Sequence, residues 1–515
     1  MDRKDDELVL AIDIGTQSLK VMLVDRTGHM PCLVRRKYER AYFSPREGWA
    51  EQKAGFYWDE ACLAVRELAQ RWPDEFSRMC AVTITTFRDT FVCLGRDLEP
   101  VRDVILWMDK REAPDPELRW FERILFGIIG KTGMIRMQYH KSMCNWIRIN
   151  EPEVWARTYK YSTLSGYFNY RMCAQLRDSV SSMIGHMPFD MKKHRWMGKR
   201  DIRMCVFPMD DEKYFDYAEA GSILGYVDRR ASEETGIPEG MPLYATGSDK
   251  GCETLGMSCT DTSRAAVSLG TAAAVQVTSE RYMEPFPFIS AYPAVIPGRC
   301  SPEVQLYSGF WLVSWFRDNF AFFEKDAASR EGMSPEHYMD RMLPTVPAGC
   351  EGLVFQPYFI AGVEMPKARG AYIGFSDRHT RAHMYRAMIE GIGLALRSGL
   401  EHLEKKGRFT VKDIYICGGG SVSDEICSIM ASIFGLPVHR TDAPEAGGVG
   451  CAVSVFTAMG VYPDHETACR SMVRISDTFL PDERDAKVYE KEYREVFSKL
   501  YAKLLPFYSR YENIF

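Results

Sequence analysis

The hydrophobic pattern begins with two short apolar segments separated by turn residues. Residues 8–14 (LVLAIDI) are almost uninterrupted in their apolar character, and residues 19–25 (LKVMLVD) end before Thr27-Gly28. Between them lie the small and polar residues of the segment Gly15-Thr16-Gln17-Ser18. Short apolar segments bounded by turn residues are typical of β-strands. The sequence therefore predicts a β-hairpin over residues 8–25.

The same arrangement recurs near the middle of the chain. Residues 265–269 (AAVSL) and 272–278 (AAAVQVT) flank the dipeptide Gly270-Thr271. One recurrence at about the length of a domain indicates a duplication rather than a solenoid, whose repeats are about 20 to 50 residues long. We therefore expect two related domains, 1–258 and 259–515.

The remaining pattern alternates between strands and helices. The predicted helices cover residues 53–71, 379–405, 423–434, 447–459 and 487–505, with further helical stretches around 140–176, and the predicted strands cover 80–84, 91–94, 242–245 and 412–417. Such alternation predicts an α/β fold with mixed sheets flanked by helices. The last helix is expected to stop at Pro506, because proline lacks the N–H group that a helix interior needs.

Length and composition agree with two globular domains. A chain of 515 residues exceeds the roughly 250 to 300 residues at which single cores stop growing. Its 46% hydrophobic and 26% charged residues are ordinary for globular proteins. The net charge of -5 provides no basic field, so nucleic acid and anionic membranes are not expected as partners. A homodimer is compatible with the sequence.

Targeting and cysteine patterns favour the cytoplasm. The apolar stretch near the first residue is too short for a signal peptide, and no later stretch approaches 18 apolar residues. The 15 cysteines are scattered and never have C-x-x-C spacing. We expect them to be reduced, buried thiols rather than disulfides or zinc ligands.

Asp13 ends the first strand of the predicted hairpin, immediately before its turn. Backbone N–H groups of such a turn can bind an anion, and an aspartate can hold Mg²⁺ through water. An ordinary hairpin turn is the alternative interpretation. The second Gly-Thr turn, Gly270-Thr271, favours function, because a nucleotide polyphosphate can be clamped between two such turns.

Asp249 lies in a loop of small residues, Ala245-Thr246-Gly247-Ser248-Asp249-Lys250-Gly251, after a short apolar strand. In phosphoryl transfer the attacking hydroxyl must be aligned and lose its proton, and one aspartate can accept that proton. A turn aspartate that only binds backbone groups is the alternative. A third glycine-rich segment, Gly418-Gly419-Gly420, follows a strand and lets backbone approach a flat ligand such as adenosine.

Together these motifs resemble the FGGY family of carbohydrate kinases over nearly the whole chain. The similar segments are DIGTQSLK at 13–20, GWAEQ at 48–52 with Trp58, FRDT at 87–90, ILWMDKR at 105–111, and RGAYIGFSDRHTRAHMYRAMIEGIGLALR at 369–397. The resemblance implies two duplicated ribonuclease-H-like (actin-like ATPase) domains with the active site in the cleft between them. It also implies phosphorylation of a hydroxyl of a small sugar, polyol or sugar acid, with ATP and Mg²⁺.

The resemblance also assigns roles to individual residues. Asp249 would be the catalytic base, and Asp13 and Asp249 would be the residues at the metal. The implied nucleotide contacts are Asp13, Gly15, Thr16, Gln17, Ser18, Lys20, Gly270, Thr271, Gly418, Gly419 and Gly420. The implied substrate contacts are Arg88, Asp89, Trp107, Asp109, Tyr139, Asp178 and Lys250.

Two departures from the family pattern bear on the substrate. Phe87 and Lys250 stand where glutamine is common in the family. A lysine beside the base would favour an anionic sugar acid, unless its charge is paired with Glu253. A non-catalytic sugar-binding relative and an actin-like ATPase without sugar kinase activity are the alternative functions. The particular sugar, the hydroxyl and any regulator are not indicated by the sequence.

Overall fold

The fold is described from a computed structural model. The structure describes residues 6–116, 118–128, 130, 132–362, 365–511 and 514. Contacts divide the chain into two compact units. Unit 1 comprises Met1–Gly256, Ser290–Cys300 and Ala443–Val473, and unit 2 comprises Met257–Ile289, Ser301–Asp442 and Arg474–Phe515.

The strands of the described residues are, in chain order, β1 (Leu8–Ile14), β2 (Ser18–Asp25), β3 (Cys32–Lys37), β4 (Glu51–Gln52), β5 (Met79–Thr86), β6 (Phe91–Leu94), β7 (Val104–Ile105), β8 (Lys160–Thr163), β9 (Arg177–Ser179), β10 (Phe189–Asp190), β11 (Arg195–Trp196), β12 (Asp216–Ala218), β13 (Ile223–Tyr226), β14 (Pro242–Tyr244), β15 (Arg264–Leu269), β16 (Ala273–Val277), β17 (Tyr292–Pro293), β18 (Cys300–Ser301), β19 (Glu303–Leu306), β20 (Val354–Gln356), β21 (Ala371–Ile373), β22 (Asp413–Cys417), β23 (Val438–Thr441) and β24 (Ile475–Phe479).

The α-helices of the same residues are α1 (Ala54–Arg71), α2 (Pro73–Ser77), α3 (Trp120–Ile128), α4 (Thr132–Lys141), α5 (Met143–Asn150), α6 (Pro152–Arg157), α7 (Leu164–Cys173), α8 (Arg229–Thr235), α9 (Asp249–Gly256), α10 (Trp311–Phe320), α11 (Phe322–Glu331), α12 (Pro335–Asp340), α13 (Arg381–Gly407), α14 (Asp424–Phe434), α15 (Ala446–Ala458), α16 (His465–Met472), α17 (Glu483–Glu492) and α18 (Ser498–Tyr511).

Unit 1 is built on a six-stranded sheet of order β13-β14-β5-β1-β2-β3. Strand β1 runs antiparallel to β2 and parallel to β5. Helices α1 and α7 pack against this sheet around a core that includes Leu10, Trp58 and Phe168. A second core, which includes Val9 and Val453, lies where α9 and α15 pack against β5 and β1. The central strand is therefore covered on both faces.

Unit 2 contains a six-stranded sheet of order β19-β16-β15-β22-β23-β24. Strand β15 is antiparallel to β16 and parallel to β22, and β22 is parallel to β23, which is antiparallel to β24. The sheet of unit 1 has the same directions when read from β3 to β13. The long helix α13 and helix α14 pack against the unit 2 sheet. The shared topology confirms the predicted pair of related α/β folds.

Unit 1 includes the late segment Ala443–Val473 because of one close helix contact. A Cβ atom on Gly256 of α9 would lie 1.8 Å from the carbonyl oxygen of Ala446. A Cβ atom on Gly450 of α15 would lie 1.8 Å from the carbonyl oxygen of Cys252. Glycine at both positions lets the two helix backbones touch, which draws α15 onto the first unit.

Most predicted elements are present within a few residues of their predicted bounds, but two predictions were wrong. The helical stretch around 140–176 is interrupted by strand β8. Helix α18 does not stop at Pro506 and continues to Tyr511. Beyond the proline, Tyr508 is buried and its hydroxyl donates to Gln356, so tertiary packing holds the last turns in place.

The 15 cysteines all lie among the described residues and form no disulfide bond there; eleven are buried as predicted, whereas Cys62, Cys80, Cys205 and Cys417 are only partly buried. Among the described residues, no helix is both long and apolar enough to cross a membrane.

Candidate active site

The first candidate phosphate turn closes the β1–β2 hairpin in unit 1. The N–H of Gly15 donates to the carbonyl of Ser18 at 3.0 Å, and a Cβ atom on Gly15 would lie 2.8 Å from that oxygen. The turn therefore requires glycine there. Thr16 is held by a residue outside the hairpin, because its Oγ1 accepts a hydrogen bond of 2.9 Å from Nε1 of Trp107. Gln17 is exposed at the tip.

Asp13 lies opposite Lys20 in the β1–β2 register and forms an ion pair with it. Nζ of Lys20 is 3.3 Å from Oδ2 of Asp13 and 2.7 Å from Oε2 of Glu445. The second oxygen of Glu445 is paired with Arg35. The pKa of Asp13 is raised to about 6, mainly by burial and also by the negative charges of Asp249 and Glu445, against the opposing effect of Lys20. Asp13 thus lies in a cluster in which one lysine is shared between two carboxylates.

Asp249 begins helix α9, and the loop before it is held by buried hydroxyl groups. Oγ1 of Thr83 lies 2.8 Å from Oγ1 of Thr246, and Oγ1 of Thr85 donates to the carbonyl of Gly247 at 2.8 Å. A Cβ atom on Gly247 would lie 2.7 Å from the side chain of Val295. Side chains of strand β5 and close packing therefore fix the position from which Asp249 projects.

The electrostatics of Asp249 suit a proton acceptor. Its Oδ1 accepts a hydrogen bond of 2.7 Å from the backbone N–H of Lys250. Burial raises the pKa of Asp249, and this effect exceeds the lowering by the positive charges of Lys250 and Arg88. A carboxylate with a raised pKa is a stronger base than an exposed aspartate.

A small cavity in unit 1 lies beside this loop. Its lining joins the end of strand β5, the start of helix α7 and the residue before Asp249. The lining residues are Thr86, Phe87, Arg88, Asp89, Thr90, Thr163, Leu164, Ser165, Ser182, Ile184 and Ser248. Hydroxyls, one guanidinium and one carboxylate predominate, which is the donor and acceptor set that a polyhydroxylated ligand requires. The cavity brings together the predicted substrate residues Arg88 and Asp89.

Both of these charged residues are oriented by neighbours. The guanidinium of Arg88 stacks over the ring of Tyr292, 5.4 Å from its centroid. Oδ1 of Asp89 accepts from the backbone N–H of His186 at 3.1 Å, and Oδ2 lies 2.9 Å from its Nδ1. Burial raises the pKa of Asp89, but the charge and hydrogen bonds of His186 outweigh it, so the pKa lies below its usual value. Asp89 is therefore a fixed, ionised acceptor.

Trp107 and Asp109 lie near the first turn but have different roles in the structure. The backbone N–H of Trp107 donates to Oγ1 of Thr90, which ties it to the cavity lining. The carboxylate of Asp109 is buried, binds Arg111 through both oxygens at 2.8 Å and accepts from the N–H of Ala50. Arg111 in turn stacks on Trp49, 3.7 Å from the ring centroid. Asp109 thus organises the segment 48–52.

Asp178 and Tyr139 are also engaged by protein groups. Oδ2 of Asp178 accepts from the hydroxyls of Thr163 and Ser165, which line the cavity. Burial raises the pKa of Asp178 to about 6, and the hydrogen bonds limit the rise. Tyr139 is buried, and its hydroxyl accepts from Arg148 at 3.0 Å. These contacts place Asp178 behind the lining, and Tyr139 is not one of the lining residues.

The side chain of Lys250 is paired within its own helix. Nζ of Lys250 donates to Oε2 of Glu253 at 2.7 Å. This is the pairing that the sequence offered as the alternative to a substrate-facing lysine. A carboxylate at this distance offsets the lysine charge.

The second candidate phosphate turn and the glycine-rich segment are adjacent in unit 2. Gly418 has φ +89°, and a Cβ atom there would lie 2.7 Å from the carbonyl carbon of Leu269 and 3.0 Å from the nitrogen of Gly270. The carbonyl of Gly270 accepts from Phe310 at 2.9 Å. Strand pairing between β15 and β22 brings these residues together. Only glycine at 418 permits so close an approach.

The other residues of these segments differ in exposure. Thr271, Gly418 and Gly419 are exposed, and no atom would contact a Cβ atom on Gly419 within 4 Å. Gly420 is buried against the ring of Phe310. The exposed members are therefore the ones available to a ligand.

Sequence reasoning missed three residues of the site in unit 1. Glu445, which is 425 positions from Lys20, completes the cluster around Asp13. His186 orients Asp89, and Tyr292 supports Arg88. No spacing or motif pointed to these residues, since each reaches the site by tertiary packing alone.

Most of the chain matches two models of one protein family. The model for the FGGY family of carbohydrate kinases, N-terminal domain, matches residues 8–256, and the model for the C-terminal domain of that family matches residues 265–459. The chain is 27% identical over 498 residues to the uncharacterized sugar kinase YgcE of Escherichia coli strain K12, covering 96% of this chain and 93% of that protein. It is 25% identical over 501 residues to a xylulose kinase of Lactococcus lactis, covering 96% of each.

Solved structures show the same fold. A ligand-bound xylulose kinase from Lactobacillus acidophilus has a TM-score of 0.83 at 19% identity, covering 98% of this chain and 100% of that one. A gluconate kinase from the same organism has a TM-score of 0.82 at 19% identity, covering 98% and 99%. The two-domain architecture is therefore that of carbohydrate kinases.

Proposed function

Because the chain belongs to the FGGY family of carbohydrate kinases, we propose that Asp249 is the base that takes the proton of the acceptor hydroxyl. The protein is a carbohydrate kinase that phosphorylates a small sugar, polyol or sugar acid with ATP. The observation that carries the assignment of the base is the rigid loop that projects Asp249 beside the polar cavity lined by Arg88 and Asp89. We expect this reaction of ATP with a small metabolite to take place in the cytoplasm.

The acceptor is proposed to bind in this cavity. Asp89 would accept a hydrogen bond from one sugar hydroxyl, and Arg88 would donate to another. Asp249 would then accept the proton of the reacting hydroxyl as its oxygen attacks the γ-phosphorus and the bond to ADP breaks. The proton ends on the carboxylate of Asp249, whose raised pKa makes that transfer more favourable.

The phosphate groups are proposed to meet the outer part of the first turn. The N–H of Gly15 is used in closing the turn, so Thr16, Gln17 and Ser18 are the members left to face a phosphate. In unit 2, the exposed Thr271, Gly418 and Gly419 would contact the nucleotide, with Gly270 and Gly420 shaping the backbone around them.

A magnesium ion fits the residues around Asp13. The pKa of Asp13 is raised to about 6, mainly by burial and in part by the negative charge of Asp249, so a cation near both carboxylates would be favourable. Among the described residues no three His, Cys, Asp or Glu side chains form a metal cluster. Mg²⁺ commonly binds one or two carboxylates and keeps several waters, so Asp13 and Asp249 suffice. When bound, Mg²⁺ would neutralise charge on the transferred phosphoryl group.

We propose that the preferred acceptor is a neutral sugar or polyol rather than a sugar acid. The salt bridge between Lys250 and Glu253 reduces the attraction that the lysine would exert on a substrate carboxylate. The pairing of Asp89 with His186 leaves the negative charge of Asp89 partly compensated, which suits hydroxyl donors.

Coupled measurement of ADP release with a panel of ketoses, polyols and matched sugar acids tests these proposals. We expect ADP release that depends on one or a few neutral acceptors. ATP hydrolysis without stimulation by any sugar would instead indicate an actin-like ATPase, and no ADP with any acceptor would indicate a non-catalytic relative. Higher kcat/KM for an acid than for its matched neutral sugar would contradict the substrate class.

A further inference from the structure

Helix α3 presents a continuous apolar surface to solvent. Five of its nine residues are large apolar side chains that are between 39% and 79% exposed. They are Trp120, Phe121, Ile124, Leu125 and Ile128, and we call them the α3 stripe. Positions four apart lie on one face of a helix, so the series 120, 124 and 128 runs along its length with 121 and 125 beside it. The stripe therefore covers one whole side of α3.

The orientation of α3 is the reverse of that expected for a surface helix. Glu122 is buried at 2% exposure, and its carboxylate accepts from the backbone N–H and from Nε of Arg119. Phe126 is the other buried residue of the helix. A helix at a protein surface normally buries its apolar face and exposes its charges. Here a charged residue is turned inward while the larger apolar face is left in water, which indicates that this face has a partner.

We infer that the α3 stripe is the contact surface between two copies of this chain. A two-fold axis would place the α3 stripe of one copy against the α3 stripe of the other copy. The two α3 helices would then pack antiparallel, with Ile124 of one copy facing Ile124 of the other at the centre. Closed two-fold dimers are the commonest oligomers and use the same patch on both subunits. The five side chains of the stripe are apolar, which suits the core of such an interface, and the guanidinium of Arg119 lies at its edge, 4.5 Å from the ring centroid of Phe121.

The area of the stripe is sufficient for a stable dimer. A large side chain has about 200 Å² of surface, so the exposed fractions of the five side chains of the stripe together correspond to roughly 600 Å² of apolar surface per copy. Pairing two copies would bury about 1,200 Å², above the roughly 1,000 Å² that a biological interface should exceed. A monomer rarely exposes a contiguous apolar patch of more than a few hundred Å².

The surrounding charges favour a protein partner over a lipid surface. Surfaces that bind anionic lipid carry clusters of about four to eight Lys or Arg residues. Two arginines lie on or beside α3, Arg119 and Arg123, and both are used within the fold. Arg119 binds Glu122, and Nε of Arg123 donates to the carbonyl of Leu118.

The test is the mass of the full-length chain by light scattering during size-exclusion chromatography at micromolar concentrations. We expect the wild type at twice the chain mass and Ile124→Glu at the mass of one chain, because the substitution places two carboxylates face to face. Leu63→Glu is the matched control, since Leu63 is 49% exposed on helix α1 of the same unit and Ile124 is 54% exposed. The control should keep twice the chain mass.

A second variant covers the case in which Ile124→Glu fails to fold. Trp120 is 74% exposed, so Trp120→Ser removes little packing within the chain and should also lower the mass to one chain. A wild type at one chain mass, an Ile124→Glu variant at two, or a Leu63→Glu variant at one would each overturn the inference. Flotation of the wild type, but not of Ile124→Glu, with anionic phospholipid vesicles would overturn it in favour of a lipid surface. None of these readouts depends on kinase activity.

Discussion

At the scale of single residues, the substrate cavity depends on a carboxylate in an unusual backbone conformation. Asp89 has φ +55°, a region that aspartate tolerates better than most residues. A Cβ atom on Gly185 would lie 2.3 Å from Oδ1 of Asp89, so glycine at 185 makes room for the carboxylate. His186 then holds both oxygens. The orientation of Asp89 is thus determined by neighbours about a hundred positions later in the sequence.

We predict that His186→Ala raises KM for the sugar acceptor by about tenfold or more, with a smaller effect on kcat. Loss of a hydrogen bond to a charged group typically costs about 1.5 to 3 kcal/mol, and Asp89 would lose its fixed orientation. Steady-state kinetics with the acceptor found in the panel measure this. His194→Ala is the control, because His194 forms the same type of contact, 2.9 Å to Glu219, elsewhere in unit 1. Equal KM values for both variants would contradict the positioning role.

A second prediction concerns the glycine-rich segment. Gly418→Ala should lower the free energy of unfolding by about 1 to 3 kcal/mol, because φ +89° with ψ 177° is a conformation that essentially only glycine adopts. The added methyl group would also meet backbone atoms of Leu269 and Gly270. Gly419→Ala, for which the structure leaves open space, should change stability little. Denaturant titration of both variants measures the difference, and equal stabilities would refute the argument.

At the scale of elements, helices α13 and α17 are joined by a buried polar network. Arg386 and Glu390, one turn apart on α13, are 2.7 Å apart, and the hydroxyl of Tyr489 on α17 donates to the same oxygen of Glu390. Sγ of Cys350 donates to the other oxygen. Glu492 lies beside this network, and its Oε2 is buried without a hydrogen-bond partner among the described residues. Burial and the charge of Glu390 raise the pKa of Glu492 to about 8.

This network predicts a pH dependence of stability. In the folded protein the pKa of Glu492 is about 8, above its unfolded value near 4.5, so the folded state keeps a proton on Glu492 that the unfolded chain loses. The stability that this proton binding contributes is lost as the pH rises toward about 8. Glu492→Gln mimics the protonated form. The variant should therefore gain stability relative to the wild type between pH 6 and 9, on the order of a few kcal/mol. Denaturant unfolding of the wild type and the variant at pH 6 and at pH 9 measures this difference in stability. Glu495→Gln is the control, because Glu495 is exposed.

The elements themselves were largely predictable from local pattern. The two hairpins follow from short apolar segments around Gly-Thr turns, and α13 follows from its long amphipathic period, because these signals act between neighbouring residues. The prediction that the last helix ends at Pro506 was wrong, because a helix can retain a proline when residues beyond it are held by contacts with other parts of the fold. Tyr508 supplies that anchor through Gln356.

At the scale of the whole molecule, sequence order and spatial grouping differ. The predicted halves, 1–258 and 259–515, remain a prediction about the sequence, whereas contacts group Ala443–Val473 with the first unit. The site candidates that motifs supplied, such as Asp13 and Asp249, lie on elements with local signals. Glu445 could not be found in this way, because its place beside Lys20 depends on the contact of α15 with α9.

The fold and the kinase class therefore rest on independent observations. The sheet topology is repeated in both units, and both family models match. The substrate depends on finer features, namely the lining around Arg88 and Asp89 and the pairing of Lys250 with Glu253. We propose that Asp249 makes this cavity a site of phosphoryl transfer.

Measurement of sugar-dependent ADP release by Asp249→Asn tests the role of Asp249 as the base. The variant keeps the size of the side chain but cannot accept the proton, so the account predicts a loss of at least about a hundredfold in kcat with ATP binding unchanged by titration. Asp261→Asn is the control, because Asp261 accepts hydrogen bonds from the N–H and the hydroxyl of Ser263 in a turn of unit 2, and it should retain full activity. Turnover of Asp249→Asn at the rate of the wild type would contradict the account.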